Sequence, residues 1–451
     1  MTAPATLTTL RRMLGFRDLL LITIGTVIGS GIYLVPSVVL RQSAGKASVA
    51  ILIWTIGGVL SLLGALTYAE LGAGNPDAGG LYVYLRDAFG PLTAFLYGWT
   101  SFVVIASGSV ATLAVAFTNY LGQIVPLSGP AARAISVLLI ATLAAVNIRG
   151  TRNSATLQNW TTGAKVGVLT LLSVALIVLG KGHAPATQTL APAGPLTFAG
   201  IGAAMIGVLW AYEGWQYVTF SAGETNDAQR VFPRAISVAT AALVAIYLLA
   251  NVGYLSALGT PAAATSDHVA ADAVGTIFGS AAGKIVGALI LVSIFSATNG
   301  LFLTTPRMYF AMARDGVFFA RLAKIDHRFG TPSFAIISMA IWSAVLAVTG
   351  TFEQLLTYVV FVGWIFYGLG ALAIFAYRRR QPNAVRPFRT PGYPLSPILF
   401  VASAALLVVN TLATQPLRAA IGLGAVLLGT PAFYLWRSRL KREVQPLAPS
   451  I

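Results

Sequence analysis

Charged residues make up only 9% of this 451-residue chain, and that scarcity limits what it can fold into more than any motif does. An ordinary soluble domain carries roughly 25% charged residues, so a globule with so few could not dress its surface for water. With 57% hydrophobic residues and 45 glycines, the composition predicts an all-α integral membrane protein, a polytopic bundle in which glycine is commoner than in soluble helices. Disorder, collagen and coiled coil are excluded by the same composition. A span needs about 20 mostly apolar residues, and roughly twelve such runs can be placed. They are 19–40, 48–72, 92–121, 131–149, 157–180, 196–222, 233–258, 281–312, 333–349, 353–377, 395–413 and 417–436.

A net charge of +16 would suggest nucleic acid in a soluble protein, so the placement of the charges has to decide. Arg41, Lys46, Arg133, Lys181, Lys284 and Arg418 fall on one side of the predicted spans. Lys165 falls within a span, and every other Lys and Arg lies on the opposite side. This asymmetry predicts that both termini are cytoplasmic. The basicity then reads as an orientation signal with some attraction to anionic lipid, not as a nucleic-acid surface. The polar, basic first 18 residues precede an apolar run without a small-residue cleavage site, which predicts a retained first span and no removable signal.

The chain contains no cysteine, which removes disulfides, zinc-thiolate sites and thiol nucleophiles. His183, His268 and His327 lie far apart in loops, with no metal-ligand or catalytic spacing, and no glycine-rich phosphate loop is present. No metal, cofactor or enzymatic activity is expected.

Two predicted spans are interrupted. The first contains Gly25-Thr26-Val27-Ile28-Gly29-Ser30-Gly31-Ile32 with Pro36 following, and the sixth contains Trp210-Ala211-Tyr212-Glu213-Gly214-Trp215. Alone, the four-residue spacing of Gly25 and Gly29 suits close helix packing. Together, the interruptions occupy equivalent places if the chain is two five-span repeats, the second inverted because each repeat has an odd number of spans. The predicted organisation is 1–18 as amino-terminal segment, 19–180 as repeat one, 196–377 as repeat two, 395–436 as two extra spans and 437–451 as tail. Unpaired backbone groups at mid-bilayer depth cost several kcal/mol each, and a small zwitterion can complete them. Amides opening a half-helix suit a carboxylate, and carbonyls closing one suit an ammonium. Among the connections, 73–91 and 307–332 are expected to be ordered, the latter with room for a short surface helix, and 259–280 is expected to form a small lid helix.

These stretches resemble the amino acid-polyamine-organocation superfamily, and within it the bacterial form of the L-type amino acid transporter family. Further matching runs are Gly64-Ala65-Leu66-Thr67-Tyr68-Ala69-Glu70-Leu71, Gly79-Gly80, Ala88-Phe89-Gly90-Pro91, Gly223-Glu224, Pro233-Arg234-Ala235-Ile236, Thr305-Pro306-Arg307 and Ala313-Arg314-Asp315-Gly316. The resemblance implies a twelve-span, five-plus-five inverted-repeat carrier of L-amino acids working by alternating access. It implies that backbone at Ile28, Gly29, Ser30 and Gly31 holds the substrate carboxylate and that backbone at Trp210 and Ala211 holds the amine. Ala228 departs from the proline of many relatives, and the cysteine that links eukaryotic members to a heavy chain is missing, so no disulfide-linked partner is expected.

Lys165 carries a mid-membrane cost of roughly 2.5–3.5 kcal/mol unless it finds a partner or water, and snorkelling from a position near Trp160 is the plain alternative. The resemblance implies instead that it reaches between spans one and eight, where sodium-coupled relatives of the fold bind the ion, with Ser293 and Ser296 as candidate partners. That implies sodium-independent transport. Glu213 has two open readings: it caps amides of the second half of span six, or it serves proton coupling or attracts a cation. Trp210, Tyr212 and Trp215 are candidate pocket or gating residues, with Trp210 favoured because Ala211 follows it, and core packing is their alternative. Tyr254 resembles a family position near the substrate. Glu70, Arg86, Glu224, Arg230 and Arg307 are placed to pair when an inner barrier closes, or are simply solvated. The expected function is a sodium-independent exchanger of neutral L-amino acids in the bacterial cell membrane; the alternative is a proton-coupled carrier of cationic amino acids or polyamines.

Overall fold

A computed structural model describes residues 10–180 and 195–444, and every regular element among them is helical. Lys181 and His183, the first nine residues and the end of the tail lie outside the described residues. Among the described residues, nine helices are long and apolar enough to cross a membrane, including Ala47–Gly74, Thr151–Leu179, Ala228–Thr265 and Gln354–Arg380. The remaining spans are a bent pair, Phe16–Val27 and Gly31–Gln42, a short apolar helix, Ser333–Thr349, and an interrupted segment, Phe198–Ala211 followed by Trp215–Glu224. This is the expected set of about twelve, the first span beginning a few residues earlier than the hydropathy placed it.

Span one stops because its backbone leaves the helical basin at Ile28, where φ is −72° and ψ is +88°. The chain resumes as a helix at Gly31, turned by 46°. Span six stops at Ala211 and passes through Gly214, whose φ of +128° suits glycine and strains any other residue. It continues as a 3-10 helix, Trp215–Glu224, whose tighter winding leaves poorer hydrogen bonds than an α-helix. The two breaks touch. A Cβ added at Gly31 would lie 2.8 Å from the Ala211 Cα, and one at Gly214 would lie 3.1 Å from the Thr26 carbonyl carbon.

Span three carries a π-helical turn at Ser101–Ile105 between Pro91–Thr100 and Ala106–Ile124, a feature that hydropathy does not signal. Span seven kinks at Gly259, and the connection beyond it contains a short helix, Val269–Phe278, where one was expected. Pro306–Arg314 continues span eight across Pro306 and packs Met308, Tyr309, Phe310 and Met312 inside, and a short 3-10 helix, Ala320–Ala323, follows with Ala320 and Arg321 exposed. The first described residues strap this end of the bundle, with the Met13 and Leu14 amides donating to the Glu224 carbonyl at 2.8 and 3.0 Å.

Candidate functional site

A helix that ends inside a membrane bundle leaves its last carbonyls without intrahelical donors. At the end of Phe16–Val27 the donor is Lys165 from span five. Its Nζ donates to the Gly25 carbonyl at 2.7 Å, the Ile28 carbonyl at 2.6 Å and the Ser293 carbonyl at 3.4 Å. A cation also complements the negative end of a helix dipole. Span five can come this close because position 25 is glycine: a Cβ there would sit 2.1 Å from Thr162 Oγ1 and 2.2 Å from Gln158 Nε2. Lys165 is buried, which removes the snorkelling alternative. Ser293 contributes its carbonyl to Lys165 while its hydroxyl pairs with Tyr33 at 3.1 Å. Ser296 accepts instead from the Thr161 hydroxyl at 3.0 Å, and so belongs to the contact between spans five and eight.

The second break is tied to the first by a residue that hydropathy and motif did not single out. The Tyr247 hydroxyl lies 3.0 Å from the Ala211 carbonyl and 3.2 Å from the Val27 carbonyl, so one phenolic hydrogen is shared between both interrupted helices. Tyr254, two turns further along the same helix, is buried but lines no part of the space between the breaks. The sequence signal that could have separated them is spacing alone: only a tyrosine level with the breaks can reach both.

Between the breaks lies a cavity of about 50 Å³, walled by Gly29, Ser30 and Gly31 on one side and by Trp210, Ala211 and Glu213 on the other. The opening amides of Gly31–Gln42 have no intrahelical acceptor, and the buried Ser30 hydroxyl has no partner. The Trp210 carbonyl accepts from the Glu213 amide at 3.0 Å, and the Ala211 carbonyl accepts from the Tyr247 hydroxyl at 3.0 Å.

Glu213 does not cap the second half of span six as one reading expected. Gln216 does, its Oε1 accepting from the Gly214 amide at 3.1 Å. Glu213 Oε1 accepts from the Tyr367 hydroxyl at 2.8 Å, while Oε2 is buried with no partner. Two of the three aromatics at the break pack away from the cavity. Tyr212 lies against Tyr247 with ring centres 4.9 Å apart, and Trp215 stands edge-on to Tyr68 at 5.1 Å. Trp210, with Leu356, lines both the central cavity and a second one of about 330 Å³ that reaches Arg418.

The opposite end is closed by ion pairs. Arg307 Nε donates to Glu224 Oε2 at 2.6 Å and its Nη2 to Thr151 Oγ1 at 2.8 Å, all buried. Arg378 forks onto Glu70 at 2.7 and 2.8 Å, and the Tyr82 hydroxyl and Arg86 both donate to Asp315 at 2.8 Å. Partial burial works against the Arg86 charge, but its hydrogen bonds to Asp315 and Asp87 outweigh this and hold the guanidinium protonated above its usual range. Arg230 is exposed. Four of the five charges expected at this barrier therefore pair, two of them with each other.

Because Gly31 abuts the Ala211 backbone, Gly31→Ala is expected to force the breaks apart. Overpacking of this kind costs about 1–3 kcal/mol, so uptake into vesicles should fall roughly tenfold or more while membrane insertion, read by extraction yield, persists.

Two interrupted helices that meet at a cavity inside a bundle of apolar, membrane-length helices mark a secondary transporter. A family described as amino acid permease matches residues 14–427. Over 95% of its length the chain is 30% identical to the serine/threonine exchanger SteT of Bacillus subtilis, covering 98% of that protein. It is also 30% identical to two human proteins, Asc-type amino acid transporter 1 and large neutral amino acids transporter small subunit 2, over 96% of the chain and 84% and 82% of theirs. The chain belongs to the amino acid permease family, within the superfamily its motifs resemble. It is a multi-pass membrane protein of amino acid transport and not an enzyme.

Proposed function

We propose that the protein exchanges neutral L-amino acids across the bacterial cell membrane without sodium, with both termini in the cytoplasm and 19–180 and 196–377 as its inverted repeats. The observation that carries this reading is the Lys165 ammonium on the Gly25 and Ile28 carbonyls. A fixed cation there already supplies the positive charge that those oxygens would otherwise take from an ion. The substrate carboxylate rests on the amides of Ser30 and Gly31, those of Ile28 and Gly29 being taken by the Ile24 and Val27 carbonyls at 3.0 and 2.8 Å, and its ammonium rests on the Trp210 and Ala211 carbonyls. The shared Tyr247 hydrogen makes both breaks respond together when either carbonyl is engaged. Trp210 is the barrier toward the larger cavity. Exchange rather than uptake is supported by the named activity of the Bacillus subtilis relative, and a chain without cysteine suits a carrier with no disulfide-linked heavy chain.

The test is counterflow in proteoliposomes loaded with unlabelled serine. Labelled amino acid should accumulate against its gradient at the same rate in sodium and in choline. Loss of accumulation in choline would overturn the sodium-independent reading. A second reading, a proton-coupled carrier of cationic amino acids or polyamines, is favoured by one observation, the unpartnered Glu213 Oε2 at the cavity wall. Under it, labelled lysine or putrescine would displace serine from the vesicles and a pH gradient alone would drive their uptake.

A further inference from the structure

Three side chains from spans three and six, Ser109, Thr112 and Glu213, bring accepting oxygens to the central cavity. Ser109 donates its hydroxyl hydrogen to the Ile105 carbonyl at 2.7 Å, and Thr112 donates to the Gly108 carbonyl at 2.8 Å. Both therefore present oxygen lone pairs, one of those on Ser109 meeting the Tyr217 hydroxyl at 3.5 Å. Glu213 adds Oε2, buried and unpartnered, on an arm that Tyr367 fixes through Oε1. The backbone of the two breaks is taken up by the groups all amino acids share, so this cluster on spans three and six is left for the part that differs, the side chain. The space is about 50 Å³, against roughly 30 Å³ for one water in the liquid. Since the common carboxylate and ammonium must share that space, it favours the most compact side chains over the four-carbon stem of lysine or a polyamine.

Resting on the transport reading above, we infer that Glu213 selects substrates that carry a hydrogen-bond donor on a short side chain, the small hydroxylated amino acids, over apolar isosteres of the same shape. An ionised Oε2 accepts from the substrate hydroxyl and a protonated one donates to it, and a hydroxyl can do either, so the preference for it holds in both states. The isostere is rejected because it strips water from Oε2 without replacing the bond, which is the arrangement that discriminates most strongly between near-identical ligands.

The experiment uses inhibition of labelled L-serine counterflow by two near-isosteric pairs, L-serine against L-2-aminobutyrate and L-threonine against L-valine. In the intact protein the hydroxylated member should inhibit at least about tenfold more strongly, one missing bond of about 1.4 kcal/mol. In Glu213→Ala both ratios should fall toward one, and Glu213→Gln, which keeps an accepting oxygen, should retain part of the preference. Ratios near one in the intact protein would overturn the inference without any variant, so a misfolded Glu213→Ala does not protect it. Unchanged ratios in Glu213→Ala would place the carboxyl on the ammonium common to all substrates and overturn it equally. A flat tracer signal for every neutral amino acid would instead overturn the transport reading, which is a different result from a flat ratio.

Discussion

Lys165→Met is expected to reduce amino acid exchange in proteoliposomes on the order of a hundredfold, with the protein still extracted and folded. Methionine keeps most of the apolar stem and removes only the ammonium. The loss falls on two short contacts, to the Gly25 and Ile28 carbonyls at 2.7 and 2.6 Å, and a hydrogen bond to a charged group contributes about 1.5–3 kcal/mol. Since about 1.4 kcal/mol is a factor of ten, losing both suffices for the expected drop. The carbonyls left behind cannot turn to water at that depth, so the break itself must rearrange. Arginine should not rescue, because its planar fork cannot place one compact charge between two carbonyls and a third at Ser293. Exchange by Lys165→Met at near the intact rate would show that the break holds its shape without the cation.

Arg307→Met should lower stability by about 3–5 kcal/mol, the cost of leaving a buried carboxylate without its partner. Glu224, Arg307 and Thr151 form a closed triangle that is wholly buried. Removing both charges, as Arg307→Met with Glu224→Leu, should recover much of that loss, since a buried ion pair contributes little net stability over an apolar pair of similar size. Thermal unfolding in detergent, arranged as a double-mutant cycle, reads the coupling directly. Additive losses from the two single variants would mean that each charge is satisfied elsewhere. Transport need not follow stability here, because these groups must part whenever this end of the bundle opens.

Hydropathy found the spans because lipid demands long apolar runs whatever the fold, and glycine clusters marked the breaks because helices cannot easily persist through Gly29-Ser30-Gly31 or Gly214. That Lys165 needs a partner or water was legible because a lone cation in an apolar run is costly, but its reach toward spans one and eight was implied only by the family resemblance. What the sequence concealed is direction. Most spans are apolar on all sides, so nothing in the run around Tyr247 distinguishes the tyrosine that bridges two carbonyls from Tyr254, which only packs. Glu213 meets Tyr367 across 154 positions, and Arg378 meets Glu70 across 308. Such pairings depend on how helices are arranged around one another, which periodicity does not record. The pairing of Arg307 with Glu224 inside the bundle joins residues 83 positions apart, and is hidden from periodicity for the same reason.

The two walls around the central cavity are built from different materials, an indole and a leucine toward Arg418 and layered charges toward Glu224. Dissolved salt acts on them unequally. Arg86 and Asp315 are about one-third exposed and are screened by ions in the bathing medium, while Arg307 and Glu224 are enclosed and are not. Vesicles holding molecules inserted in both directions therefore contain two kinetic populations, told apart by raising ionic strength in the external buffer alone.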